Sequence, residues 1–94
     1  MSFEIVWSER ALRRLGAIHL YVARDKPNAA ELLALRIVTA TEALRTHPQL
    51  GRAGAEPRLR ELIVAGTPYI IVYRIRTKRI VITTIWHAAQ RKKR

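Results

Sequence analysis

The sequence predicts an α+β fold: two layers, a helical hairpin packed on an antiparallel sheet, in the order β-α-α-β-β-β. Three observations carry this expectation. Apolar residues recur at helical spacing in two adjacent stretches of the first half. Three β-type runs joined by hairpin-length connections fill the second half. A helical hairpin set between a first strand and a meander closes a core by lying across the sheet. At 94 residues the chain is one domain, 1–94.

The first strand spans 1–7, with "FEIVW" (3–7) as its β-type run. Ser8 follows as an N-cap, and Glu9 sits in the first turn, where a carboxylate favours the helix dipole. The helical hairpin covers 8–25 and 27–47. In its first arm Leu12, Leu15, Ile18 and Val22 form the apolar stripe. Pro27 ends that arm, because it disfavours helical geometry at Lys26 and suits the first turn of a new helix. The second arm runs from about Asn28 to Thr46 with Leu33, Ile37, Ala40 and Leu44 on one side, and Pro48 stops it. Residues 49–57, "QLGRAGAEP", form a loop marked by glycine and proline. The meander spans 58–86 as "RLRELIVA", "YIIVYRIR" and "RIVITTIW", and a basic tail follows at 87–94.

Strand alternation puts Ile71, Tyr73 and Ile75 on one face, and Ile70, Val72 and Arg74 on the other. In the last strand it puts Ile80, Ile82 and Trp86 on one side, Val81 and Ile85 on the other. Both faces are therefore apolar, while one helical layer covers one face. A large apolar patch on a small protein has a binding reason. The second face is expected to be covered by a partner, the competing cover being the 47–57 loop and the tail.

Charge narrows the partner. The formal net charge is +11, with +2 in residues 1–57 and +9 in residues 58–94, where Glu61 is the one acidic side chain. Such a field favours a polyanion or an acidic protein. No cysteine is present, which excludes disulfides, thiolate catalysis and zinc–sulfur sites and fits a reducing cytoplasm. The N-terminus lacks the pattern of a signal peptide, and no run is long enough to cross a membrane. No His, Asp and Glu set has metal-ligand spacing, and the glycines make no phosphate cradle, so neither metal nor cofactor is expected.

Few residues bear chemistry. His87 could act as general acid or base on a phosphodiester, with Arg60, Arg74 and Arg91 holding phosphate and Tyr73 beside them. The bland reading of His87 is a capping or interface residue at a strand end. His19 and His47 read as structural. The terminal "RKKR" is either a phosphate-touching cluster or a solvated end.

Four stretches then carry a resemblance across nearly the whole chain: "W-S-x-x-A-x-x-x-L" from Trp7, "P-x-L-G-R" from Pro48, "R-E-L-I-V" leading into "Y-I-I-V-Y-R-I", and "W-H-A-A-Q-R" from Trp86. Their order resembles the RelE/ParE superfamily of toxins from bacterial type II toxin–antitoxin modules. The ribosome-dependent ribonucleases of that superfamily carry arginine where this chain has Ile70, and basic or tyrosine groups where it has Ala88 and Ala89. The ParE branch is the nearer resemblance. It implies an inhibitor of DNA gyrase, cytoplasmic and without cofactor, silenced by a cognate acidic antitoxin. Carried over with it are Arg60, Tyr73, Arg74, His87 and Arg91 as target- or phosphate-binding candidates, and Ile71, Tyr73, Ile75 and Trp86 as antitoxin contacts. The alternatives are a RelE-like messenger ribonuclease acting on the ribosome, with His87 catalytic, and a non-toxic basic module that binds nucleic acid.

Overall fold

The computed structural model describes residues 2–89. Strand β1 (Glu4–Trp7) leads into helices α1 (Glu9–Ala23) and α2 (Pro27–Glu42), the latter tightening into a 3-10 turn at Ala43–Arg45. Strands β2 (Arg52–Ala53), β3 (Arg60–Ile63), β4 (Tyr69–Ile75) and β5 (Arg79–His87) follow. They form one sheet in the order β1-β5-β4-β3-β2. The two-layer α+β arrangement is as expected, with two refinements. The loop contributes the two-residue strand β2, and β1 runs parallel to β5, so the sheet is mixed. The two antiparallel helices bring the chain back beside the start of β1, where Arg45 meets Phe3.

Helix α1 lies on β5 and packs against α2. Its inward side is Ala11, Leu15, Ile18 and Val22, so three of the four expected positions hold, while Leu12 points to solvent and Ala11 takes its place. Ile37 on α2 and Leu44 in the 3-10 turn that follows it are fully buried. Beneath them lie Ile71 and Tyr73 of β4, and Ile80, Ile82 and Ile85 of β5. Each such isoleucine contributes on the order of 1.5–3 kcal/mol by leaving water.

Ile82 and Ile85 cannot share a face under strict alternation. They do so because the β4–β5 register shifts. Val72 stands opposite Thr84, yet Tyr73 stands opposite Ile82, leaving Thr83 as an extra residue. This β-bulge turns Ile85 inward, opposite Ile71, and Trp86 outward, opposite Ile70. The expected sides of Ile85 and Trp86 are thereby exchanged. Ser8 secures the distortion. Its hydroxyl donates to the Thr83 carbonyl at 2.9 Å and accepts from the Ala11 N–H at 3.0 Å, so one side chain caps α1 and satisfies the bulge. Two residues further along β5, Arg14 Nε donates to the Ile85 carbonyl at 3.1 Å.

The second sheet face is less bare than expected. Ile70 and Val72 are 6% and 3% exposed. Loop residues Ala55, Glu56 and Leu59 stand across a cavity from Val72, Thr84 and Trp86, and the Arg10 guanidinium lies 5.9 Å from the Trp86 ring centroid. Part of the cover is therefore the chain's own loop. The expected cover by the tail falls largely outside the described residues. On this face Ile63, opposite Ile70, stays exposed, and the other large exposed apolar groups lie elsewhere, at Leu12, Leu20, Tyr21, Leu32, Leu35 and Leu50.

The N-terminus is tied to the end of the hairpin. The Phe3 N–H donates to the Arg45 carbonyl at 2.8 Å, and Arg45 Nη1 donates to the Phe3 carbonyl at 3.3 Å. Glu42 holds that guanidinium through two hydrogen bonds.

Replacing Ser8 with alanine removes the cap and leaves the Thr83 carbonyl short of a donor. The expected loss is about 1–2 kcal/mol, read from urea unfolding. The hydrogen bond from Arg45 lowers the Glu42 carboxyl below its ordinary value. A depressed folded-state value gives stability that is present at neutral pH and lost as pH falls through the acid range. Glu42→Gln should therefore flatten that part of the acid limb, as measured by unfolding at neutral and acid pH.

Candidate functional site

The residues singled out from sequence fall into three places. Tyr73 and Arg60 stand opposite each other on β4 and β3, and both hold the 48–51 loop. The buried Tyr73 hydroxyl donates to the Pro48 carbonyl and accepts from the Gly51 N–H, each at 2.8 Å. Arg60 donates to the carbonyls of Gly51 and Gln49 at 2.9 and 3.1 Å. Gly51 is required here, because a Cβ would sit 2.7 Å from the Tyr73 ring and 2.9 Å from the Glu61 carbonyl oxygen. Ile71 and Tyr73 are fully buried under the chain's own helices and offer no surface; Ile75 is half-buried.

His87 lies at the other end of the sheet, opposite Tyr69 and on the helix side. The two rings meet edge to face with centroids 5.3 Å apart. His87 Nδ1 accepts the Ala89 N–H at 3.0 Å, so the imidazole caps the turn that follows β5. It lines a cavity of about 430 Å³ with Arg14, Tyr21 and Tyr69.

The third place is the outer sheet face. Arg74 is exposed there, opposite Val81. It lines a cavity with Arg58 and Thr83 that shares Glu56 and Leu59 with the larger cavity in front of Trp86. That larger cavity measures about 560 Å³, and Arg10, Glu61 and Thr84 also line it. Glu61 is 6% exposed, with Arg52 Nη2 at 3.8 Å from its carboxylate. Arg76, Lys78 and Arg79 gather at the β4–β5 turn. The outer face is therefore a cationic rim around an aromatic and acidic hollow. Arg10 and Glu56 were not legible as part of it. They come from an early helix and a loop, and only the chain path brings them to Trp86.

The partners of His87 and Arg60 on β4, Tyr69 and Tyr73, lie four residue steps apart, about 13 Å at roughly 3.3 Å per step. Arg74 is on the opposite face from His87. Arg91 lies outside the described residues. Among the described residues no cluster of three or more His, Asp or Glu is placed to hold a metal ion, and no helix is long and apolar enough to cross a membrane.

Tyr73→Phe keeps the ring in the core and removes both loop hydrogen bonds. The expected cost is about 1–3 kcal/mol, with faster amide exchange at Gly51, read by equilibrium unfolding and hydrogen exchange.

The same architecture occurs in known proteins. The sequence is 46% identical over 86 residues to Y4kP of Sinorhizobium fredii, which carries a toxin name, covering 92% of this chain and 88% of that protein. The fold superposes with a TM-score of 0.84 on a chain of a chromosomal ParDE toxin–antitoxin system from P. aeruginosa, at 24% identity, covering 92% of this chain and 96% of that one. It superposes with a TM-score of 0.58 on an E. coli RelE mutant solved with an antitoxin RelB peptide, at 15% identity over 99% of this chain and 93% of that one. The sequence pattern of the ParE toxins of type II toxin–antitoxin systems (parDE) matches residues 5–92. With the toxin arrangement of sheet and hairpin and this match over almost its whole length, the chain belongs to the ParE toxin family and is the toxin component of a type II toxin–antitoxin module.

Proposed function

We propose that this toxin acts by poisoning DNA gyrase and that a cognate acidic antitoxin silences it. The observation that carries the reading is the separation of the groups a nuclease would need together. A general acid or base works within hydrogen-bond reach of the proton it moves, or through one water. His87 faces the helix layer and caps a turn, Arg60 clasps a loop about 13 Å along the sheet, and Arg74 faces the other way. One phosphodiester cannot touch all three. Ile70 adds no phosphate-binding group, being apolar and buried. A protein in this state acts by binding, and the ParE family assignment favours gyrase as what it binds.

The contact surface in this reading is the outer rim, with Arg74 and Arg58 flanked by the basic turn at Arg76–Arg79. Cations there complement the anionic field of a DNA-bound enzyme. The antitoxin reading draws on charge and on exposure. A protein of formal net charge +11 with scattered large apolar groups gains most from an acidic, apolar cover. The related RelE was solved with an antitoxin peptide. Of the antitoxin contacts expected from sequence, Trp86 and Ile75 retain surface to offer.

Purified toxin is expected to block gyrase supercoiling and to accumulate cleaved DNA. Arg74→Ala should weaken this about tenfold, equivalent to roughly 1.4 kcal/mol, and His87→Ala should leave it nearly intact. Unaltered supercoiling, with ribosome-dependent cutting of messages that His87→Ala abolishes, would replace this reading by the ribonuclease one.

A further inference from the structure

We infer that the hollow in front of Trp86 is a pocket for a guanine nucleotide. The inference goes beyond the gyrase reading and does not depend on it. Two adjoining cavities make the site. The larger, about 560 Å³, is lined by Arg10, Glu61, Val72, Thr84 and Trp86 among others. The smaller, about 480 Å³, is lined by Arg58 and Arg74. Glu56, Leu59 and Thr83 line both, so the two meet. Each falls in the size range of small-molecule sites.

The sheet sets the layout. Glu61, Val72 and Thr84 stand opposite one another on β3, β4 and β5 and form the floor. Glu61 and Thr84 are two strands apart, about 9.5 Å at roughly 4.8 Å per strand, the width of a purine with a hydrogen bond at either edge. The bulge puts Trp86 on the same face, and the Arg10 guanidinium stands 5.9 Å from its ring centroid. Arg74 lies two residues beyond Val72 on that face, about 7 Å at roughly 3.3 Å per residue. Glu61 is the one acidic side chain in residues 58–94, and it is 6% exposed at the floor of a basic face.

These charges exclude the simpler ligands. A bare anion would meet the Glu61 carboxylate, and a cation would meet Arg10, Arg58 and Arg74 around it. The layout suits a molecule with anionic groups at its outer end and a neutral, planar, hydrogen-bond-donating part within, which is a nucleotide. Bases stack on aromatic rings and on guanidinium planes, and Trp86 and Arg10 offer one of each. The donor pattern selects the base. An ionised carboxylate only accepts hydrogen bonds. Guanine presents two adjacent donors to it, the N1–H and the N2 amino group. Adenine and cytosine place a bare acceptor nitrogen beside their amino group, and the carboxylate repels it. Across the floor, Thr84 has a hydroxyl for the guanine N7 acceptor. Arg52 Nη2 stands 3.8 Å from Glu61 Oε1, beyond hydrogen-bond length, on a side chain 66% exposed, so it has room to move aside. The ribose then lies by Glu56, whose carboxylate accepts from its hydroxyls, and the phosphates reach Arg58 and Arg74.

Calorimetric titration of the purified toxin with GTP, ITP and ATP at fixed salt tests the pocket. GTP should bind about tenfold more tightly than ATP, and about tenfold more tightly than ITP, which lacks the N2 amino group. Glu61→Gln should weaken GTP and strengthen ATP, because an amide offers the one acceptor and one donor that adenine needs. A Glu61 that only supports the fold would give no such exchange. Arg58→Ala and Arg74→Ala should each weaken GTP about tenfold and leave the ratio of GTP to ATP affinity unchanged. An oligothymidylate with one central guanine, set against its guanine-free control, separates two sources of the base. A guanine-dependent gain that exceeds GTP binding assigns the pocket to a guanine in a single strand, and a smaller one to a free nucleotide. Melting of each variant checks its fold, and the wild-type preference stands as a test whatever the variants do. Equal affinity for GTP and ATP, no binding of any of the three at millimolar concentration, or a folded Glu61→Gln with the preference unchanged overturns the pocket. Each of these leaves the gyrase reading standing.

Discussion

The β-bulge at Thr83 is the constraint on which the arrangement of the sheet depends. One extra residue in β5 lets Ile82 and Ile85 both enter the core, although three positions separate them. The same shift puts Trp86 on the outer face and His87 on the helix face. A bulge leaves backbone groups off the ladder, and these need partners. Ser8 supplies one at Thr83. Because Ser8 is also the N-cap of α1, the start of the helix and the distortion of the strand are fixed by one hydroxyl. The hairpin is thereby anchored over the strand it covers.

From that anchor follows the division of labour between the two sheet faces. The helix side is a packed core that the chain completes by itself. The outer side is shielded only in part, by the 54–59 loop and by Arg10 over Trp86. Tyr73 and Arg60, chemically the most suggestive pair in the sequence, are used to hold the 48–51 loop in place. Their polarity answers an internal need: a loop running beside a core tyrosine has carbonyls and N–H groups that must be paired. The groups left exposed are cations on the outer rim and leucines on the far side of the hairpin. These two kinds of surface suit two different contacts, one electrostatic and one apolar. A toxin must meet a target and be covered by an antitoxin, and the separation of the surfaces is consistent with both.

The local code was legible at most points. Ser8 announced the first helix and Pro27 the second. The apolar alternation of β4 was read correctly because that strand is regular. The sides of Ile85 and Trp86 were not, because a bulge has no fixed sequence signature and strict alternation is the only rule available without it. Leu12 was placed inward for a similar reason. Helical spacing specifies that a stripe exists, while small shifts of rotation about the axis decide which edge of it is wet. The surplus leucines at 32 and 35 were visible as residues, but their exposure on α2 was not.

By itself the sequence determined the elements, the two-layer class, the uneven charge and, through its motifs, the toxin superfamily. These are set by short-range patterns: caps, prolines, periodicity and composition. Only the tertiary structure decided that Tyr73 and Arg60 face inward to a loop, that His87 stands apart from both arginines of the strands, and that the second sheet face is partly closed from within. Each of those outcomes depends on strand register and on which distant segments meet. A one-residue shift moves every later side chain to the opposite face, so no local pattern could have fixed them.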